Sequence, residues 1–414
     1  MFLKCGSFST GTGGPLDITG LGWDPRKIPT VVLIWGAPNS ANGFLANYHY
    51  SFGWMDGVAP HCTLGAEGGG DNAATSQTIK GIHNNHVWII SKLDNTGSDL
   101  SLEWTTWLSD GFRLSTTVNS GVYNNTQMFY MAIGGKTSQG VQLKVGFFTA
   151  NTTAGDQDVT DPGFKPDFVM MAWNHRTASG TGTDAALSFG CTDGTHQWAI
   201  GNSMRNAQSS GASMTSKLYQ RTDSVLAGVL TTGTEECRAH DPGKANWPST
   251  GFRITWDTAP GSSATFCAYV AIKGIKALVG SFAKSTVGSG TNDVTASFEP
   301  KAIISCSGGR TSSSSIQADA EITFGVSDGT NEGAFWCSMK EGAINTIAAR
   351  SSSNSKSLQF ATLVSAGTPP SAVDAEADVT LLNKHTARWT WPTNDAVASE
   401  ILYALLGDTP VIAG

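Results

Sequence analysis

The chain has 414 residues, a net charge of −7, 40% hydrophobic residues and only 14% charged ones. That length exceeds one ordinary domain, and a charged fraction below the roughly 25% usual for soluble proteins leaves the polar surface to Ser, Thr, Asn, Gln and Gly. No basic stripe offers itself to nucleic acid, no apolar run reaches the roughly 18 residues of a membrane-spanning helix, and no apolar core after Met1-Phe2-Leu3-Lys4-Cys5-Gly6 reads as a signal peptide.

Along the chain, five landmarks recur three times in one order, at a spacing of about 135 residues. The first is Gly-x-Phe: Gly6/Phe8, Gly146/Phe148 and Gly280/Phe282. The second is Asp-[Ile/Val]-Thr, beginning at Asp17, Asp158 and Asp293. An aromatic, a proline and an apolar run follow: Trp23/Pro29 before Val31–Ile34, Phe164/Pro166 before Phe168–Met171, and Phe298/Pro300 before Ala302–Ile304. The fourth landmark is [Ser/Thr]-Phe-Gly-x-x-Asp-Gly, at 51–57, 188–194 and 323–329. The fifth closes each copy at Tyr130, Tyr269 and Tyr403.

Within a copy the pattern is β. Phe112-Arg113-Leu114-Ser115, Phe252-Arg253-Ile254-Thr255-Trp256 and Ala387-Arg388-Trp389-Thr390-Trp391 alternate apolar and polar residues with period two. Asp-Gly after an apolar strand is turn chemistry, and short strands with frequent turns predict a sandwich. The predicted fold is all-β: three tandem homologous antiparallel sandwiches of jelly-roll type over 1–138, 139–275 and 276–414. The linkers are too short for free beads. The three units either stack in a row or close around a pseudo-threefold axis, letting one chain imitate a homotrimer.

Chemistry is sparse. There is no Gly-x-Ser-x-Gly elbow, His-Glu-x-x-His, P-loop or dinucleotide fingerprint, so no catalytic residue or cofactor is expected. Gly65–Gly70 lacks the Lys-Ser/Thr of a phosphate site and reads as a surface loop. Seven cysteines without a Cys-x-x-Cys pair form no disulfide framework or zinc site, and Cys191 fills the apolar column of Trp54 and Val326. His49, His61, His83 and His86 cluster in copy one; His61, His83 and His86 would be the metal ligands if there were one, the alternative being polar loop residues.

Arg113, Arg253 and Arg388 are equivalent and have two readings, a row of guanidinium groups for a partner surface or structural pairs with the repeated Asp. That Asp could instead bond backbone amides in a turn. Trp104 and Trp107, three apart, point to opposite faces of a strand; one is either exposed for a sugar ring or subunit, or both are core.

These landmarks, Gly-x-Phe, Asp-Val-Thr, Ser-Phe-Gly-x-x-Asp-Gly, Gly-Phe-Arg-Ile-Thr-Trp and Tyr-x-Ala-Ile-x-Gly, resemble a domain of tailed-bacteriophage and prophage virion proteins. Copy two fits best, and copy three departs where Ala387 replaces the aromatic. The spacing of Phe and Pro is faintly similar to H-type lectin domains, which are trimeric sugar-binding sandwiches. The resemblance implies a virion structural protein on the particle exterior, assembled in host cytoplasm, and three similar copies without a fibre shaft point to a capsid decoration or cement protein. Its partners would be capsid or tail proteins, with homo-oligomers possible. The alternative is a tail fibre or spike module that binds host-surface glycan. No nucleic acid, membrane or enzymatic reaction is implied.

Overall fold

The computed structural model describes residues 1–58, 62–69, 73–121, 123–208, 215–261, 264–311, 314–343 and 345–408. Its regular structure is antiparallel strand apart from two short 3-10 turns, Thr137–Gln139 and Lys244–Asn246. Three copies of one two-layer sandwich follow each other, each with a seven-stranded and a four-stranded sheet.

In copy one the larger sheet runs Phe2–Ser9, Gln127–Gly134, Thr30–Gly36, Tyr48–Met55, Cys62–Gly69, Gln77–His83. The smaller runs Gly14–Thr19, Gly111–Asn119, Ser98–Leu108, Trp88–Ser91. Copies two and three repeat both orders. The opening strand therefore lies beside the closing strand, with Gly6 opposite Tyr130, Gly146 opposite Tyr269 and Gly280 opposite Tyr403. The Gly-x-Phe landmark has a steric reason: a Cβ at Gly6, Gly146 or Gly280 would fall within 2.5–2.7 Å of that tyrosine ring.

The seventh strand of each larger sheet comes from another copy. Gly43–Ala46 of copy one pairs with Ala348–Ser353 of copy three, Gly180–Thr183 of copy two with Gln77–His83 of copy one, and Gln317–Ala318 of copy three with Ser216–Arg221 of copy two. The exchange is cyclic and closes a ring, so the units surround a pseudo-threefold axis and do not stand in a row. Each arm turns back into its own sheet at one left-handed residue, Asn47 (φ 70°), Asp184 (φ 62°) or Asp319 (φ 64°). Asn and Asp are the non-glycine residues that enter this region most readily.

The axis explains the unbroken apolar runs. A half-exposed strand alternates, whereas one buried on both faces reads as continuous. Val31 and Leu33 face the axial core that all three copies share, while Val32 and Ile34 face their own smaller sheet. Phe168 and Met170 likewise face the axis, and Val169 and Met171 face inward to copy two. On the axis the Phe of each Ser/Thr-Phe-Gly landmark meets its equivalents. Ring centroids are 4.8 Å apart for Phe52–Phe189, 4.7 Å for Phe52–Phe324 and 5.4 Å for Phe189–Phe324. Cys191 lies in this core with Trp54 and Val326, as the apolar column predicts. Trp256, Trp389 and Trp391 fill the between-sheet cores of copies two and three.

The glycine-rich stretch corrects one expectation. Cys62–Gly69 is a fully buried strand, not a surface loop; Gly70 lies outside the described residues. Glycine is required there by close approach: a Cβ at Gly69 would overlap Leu93, and one at Gly68 would come within 3.1–3.2 Å of the Met339 and Met204 sulfurs at the axis.

Candidate functional surfaces

The ring is held at three equivalent seams. At each, the Asp of the Asp-Gly turn uses one carboxylate oxygen to cap its own turn and the other to accept a backbone N–H of the next copy. Asp56 Oδ1 accepts from Val58 and Oδ2 from Val145 at 3.0 Å. Asp193 accepts from Thr195 and His196, and across the seam from Val279 at 3.0 Å. Asp328 accepts from Thr330 and Asn331, and from Cys5 at 2.9 Å. The following glycines take φ 80–82°, which supplies the turn. Sequence spacing showed the turn; nothing local showed where the second oxygen goes.

Side chains at the seams differ. Asn174 Nδ2 donates to Gly81 O at 2.6 Å between copies two and one. Gln220 Oε1 accepts from Gly308 N at 2.8 Å between copies two and three. Between copies three and one, buried Arg350 donates through Nε to Pro38 O at 2.6 Å and through Nη1 to the carbonyls of Ala46 and Asn47. Three carbonyls satisfy a guanidinium that burial otherwise disfavours, and its pKa is lowered by that burial.

The repeated Arg and Asp sit directly opposite on neighbouring strands of each smaller sheet: Arg113 opposite Asp17, Arg253 opposite Asp158, Arg388 opposite Asp293. Each pair is bidentate, at 2.7 and 2.9 Å for Arg253–Asp158 and 2.7 and 2.6 Å for Arg388–Asp293. The Arg hydrogen bond is the main cause that holds each Asp below the ordinary carboxylate range. The Asp does not bond turn amides. The pairs lie on the outer face, where solvent screens them, so three equivalent ion pairs look outward.

Trp104 and Trp107 lie on one face, not opposite faces. Leu114 pairs with Trp104 and Phe112 with Trp107, and a bulge between them resets the alternation. The indoles meet edge-on with centroids 6.0 Å apart and pack, half-buried, on the copy-one core. Trp107 also covers Gly57, where a Cβ would come within 2.2 Å of its Nε1.

Of the histidines proposed as ligands, His61 lies outside the described residues. His83 and His86 do meet, with ring centroids 5.1 Å apart. Burial chiefly, with His86 and Arg176, lowers His83 to about 4, and His86 Nε2 faces Glu103 at 3.3 Å. Among the described residues no group of three His, Cys, Asp or Glu is arranged to hold a metal. His49 is fully buried against Tyr123, and desolvation holds it uncharged.

Two cavities mark places where copies meet. One of about 670 Å³ is lined by Met1, Val141, Gly274 and Asp408, which belong to the three equivalent junctions, and by Phe298 and His385 of copy three. The Met1 amino group bonds Asp408 there at 2.5 Å. The other lies at the seam of copies one and two and holds about 180 Å³.

No protein-family model matches the chain, and no curated protein matches it. Among solved structures it aligns with a fructofuranosidase variant of Schwanniomyces occidentalis complexed with fructosylnystose, at 8% identity over 97% of both chains and a TM-score of 0.16. A β-fructofuranosidase of the same organism complexed with fructosyl-erythritol aligns at 7% identity over 94% of this chain and 100% of that one, with a TM-score of 0.15. Such scores carry no argument about fold or chemistry.

Proposed function

We propose that the protein is a virion structural component of a tailed bacteriophage that sits on the particle exterior as a decoration or cement protein. One observation carries the reading: the cyclic exchange of arms closes a single chain into a stiff pseudo-trimer. Such a body suits a three-fold or quasi-three-fold position on a shell, because one surface type is presented three times. The outward smaller sheets, each with its Asp–Arg pair, supply those equivalent surfaces. The resemblance of the repeated landmarks to virion domains points the same way. Function then rests on contact area between rigid surfaces, with no bond made or broken.

Gold-labelled antibody against the protein, imaged on intact particles, tests the placement. Label spread over the head supports decoration. Label restricted to the tail tip favours a receptor-binding fibre component instead.

A further inference from the structure

A threefold-repeated molecule distinguishes what its fold needs from what it does not. Residues that recur in every copy carry the shared fold; a departure at one seam serves either that seam's own packing, as Arg350 does, or a separate role. The cavity between copies one and two holds such a departure. It is lined by Ile82, His83, Asn84, Phe147, Ser179 and Phe266. Phe147 and Phe266 stand with ring centroids 6.3 Å apart. The positions equivalent to Phe147 are Ser281 and Ser7, and those equivalent to Phe266 are Glu400 and Gln127, by the shared register of opening and closing strands. In copy three the counterparts bond each other, Ser281 Oγ to Glu400 Oε1 at 3.0 Å. Only copy two replaces that polar contact with two half-buried aromatic rings.

We propose that this seam is a binding site for one neutral pyranose ring. The volume of about 180 Å³ is below the roughly 300–1,000 Å³ of sites for drug-sized ligands, so it takes a single ring. Phenyl faces suit the C–H face of a pyranose, and a mostly apolar wall with a few polar groups is the usual make-up of a small-ligand site. The polar groups are uncharged. His83, lowered to about 4 chiefly by burial, is uncharged near neutral pH. Asn84 and Ser179 are exposed, and among the described residues their side chains make no hydrogen bond. They are thus available to sugar hydroxyls. The inference does not depend on where the protein sits on a particle, since a decorating protein and a fibre component can each carry such a site.

The test uses the full chain and the methyl α- and β-glycosides of glucose, galactose, mannose, N-acetylglucosamine and N-acetylgalactosamine. Saturation-transfer NMR identifies binders and titration measures them. At least one glycoside binds, with a Kd on the order of 1 mM as suits one ring. Phe147→Ser, which installs the residue found in copies one and three, weakens it at least tenfold in a chain that remains folded. Asn84→Ala, at an exposed position that the core does not need, weakens it at least threefold and serves if the first variant is unstable. Absence of saturation transfer to every glycoside overturns the proposal. So does wild-type affinity in both variants, or binding of anisole, a neutral apolar ring without hydroxyls, where the glycosides do not bind. None of these results bears on the gold-label experiment, so the two readings fail separately.

Discussion

Phe52 of copy one and Phe189 of copy two stand with ring centroids 4.8 Å apart at 42° on the axis of the molecule. With Phe324 they form the layer through which all three copies touch at once. Each ring is at most 2% exposed, so removing one opens a cavity that two other copies line. Phe→Ala at a buried site costs about 3–5 kcal/mol. The expected result is a loss of this size at Phe52, Phe189 or Phe324 alike, measured by denaturant unfolding. Because the three rings are in contact, a double variant loses an amount that is not the sum of the singles.

Asp328→Ala removes both the cap of its own turn and the acceptor for the amide of Cys5. Cys5 is 2% exposed, and a buried amide left without its partner costs about 1–3 kcal/mol. The same change at Asp193 strands the amide of Val279, which is 1% exposed. Both variants should unfold earlier in denaturant. Amide hydrogen exchange should be faster at Cys5 in the first and at Val279 in the second, which a purely local turn role would not produce.

Two carboxyls are pushed up to about 7 by burial, Glu321 and Glu332. Their folded-state pKa lies above the unfolded value near 4.5, so each contributes stability that is complete below about pH 4.5 and lost as the pH rises through 7. Glu321 Oε1 accepts from Trp336 Nε1 at 2.9 Å, a bond that Gln retains. The stability of Glu321→Gln relative to wild type is therefore expected to grow from pH 4.5 to 7.5 and then level off, by on the order of 3 kcal/mol at one pKa unit per 1.36 kcal/mol. Urea unfolding at a series of pH values measures it. His83 and His175, both lowered to about 4 chiefly by burial, act in the opposite sense and destabilise the fold as the pH falls below about 6.5; they cancel in the difference.

All seven cysteines are free and buried, and burial raises their thiols above the ordinary range. A buried thiol that stays protonated is a poor nucleophile. A thiol reagent such as dithiobis(nitrobenzoic acid) is expected to find none reactive in the native protein and all seven after unfolding.

The repeat, the two-layer units and the Asp-Gly turns were legible because each leaves a local pattern: alternation in Phe252–Trp256, continuity in Val31–Ile34, Asp-Gly at a strand end. The Arg–Asp pairs were half legible, since equivalence in three copies pointed to a structural partner. What escaped is relational. Gly43–Ala46, Gly180–Thr183 and Gln317–Ala318 are two to four residues long, too short for a period, and the sheet they join belongs to another copy. The bulge that brings Trp104 and Trp107 together adds one residue without any Gly or Pro to mark it. Phe147 and Phe266 carry no mark within their own strands; only the register of three copies side by side shows them as departures.

The arms carry the central claim, since with the shared axial core they close the three copies into a ring. Ala46 of copy one lies directly opposite Ala349 of copy three, at a spacing that suits a disulfide between directly opposed residues. In the variant with Ala46→Cys and Ala349→Cys, mild oxidation should form one intramolecular disulfide in the monomeric chain, seen as a loop-linked peptide pair in a non-reducing digest. Recovery of both thiols unreacted, or of a bridge only between two chains, would contradict the closed ring.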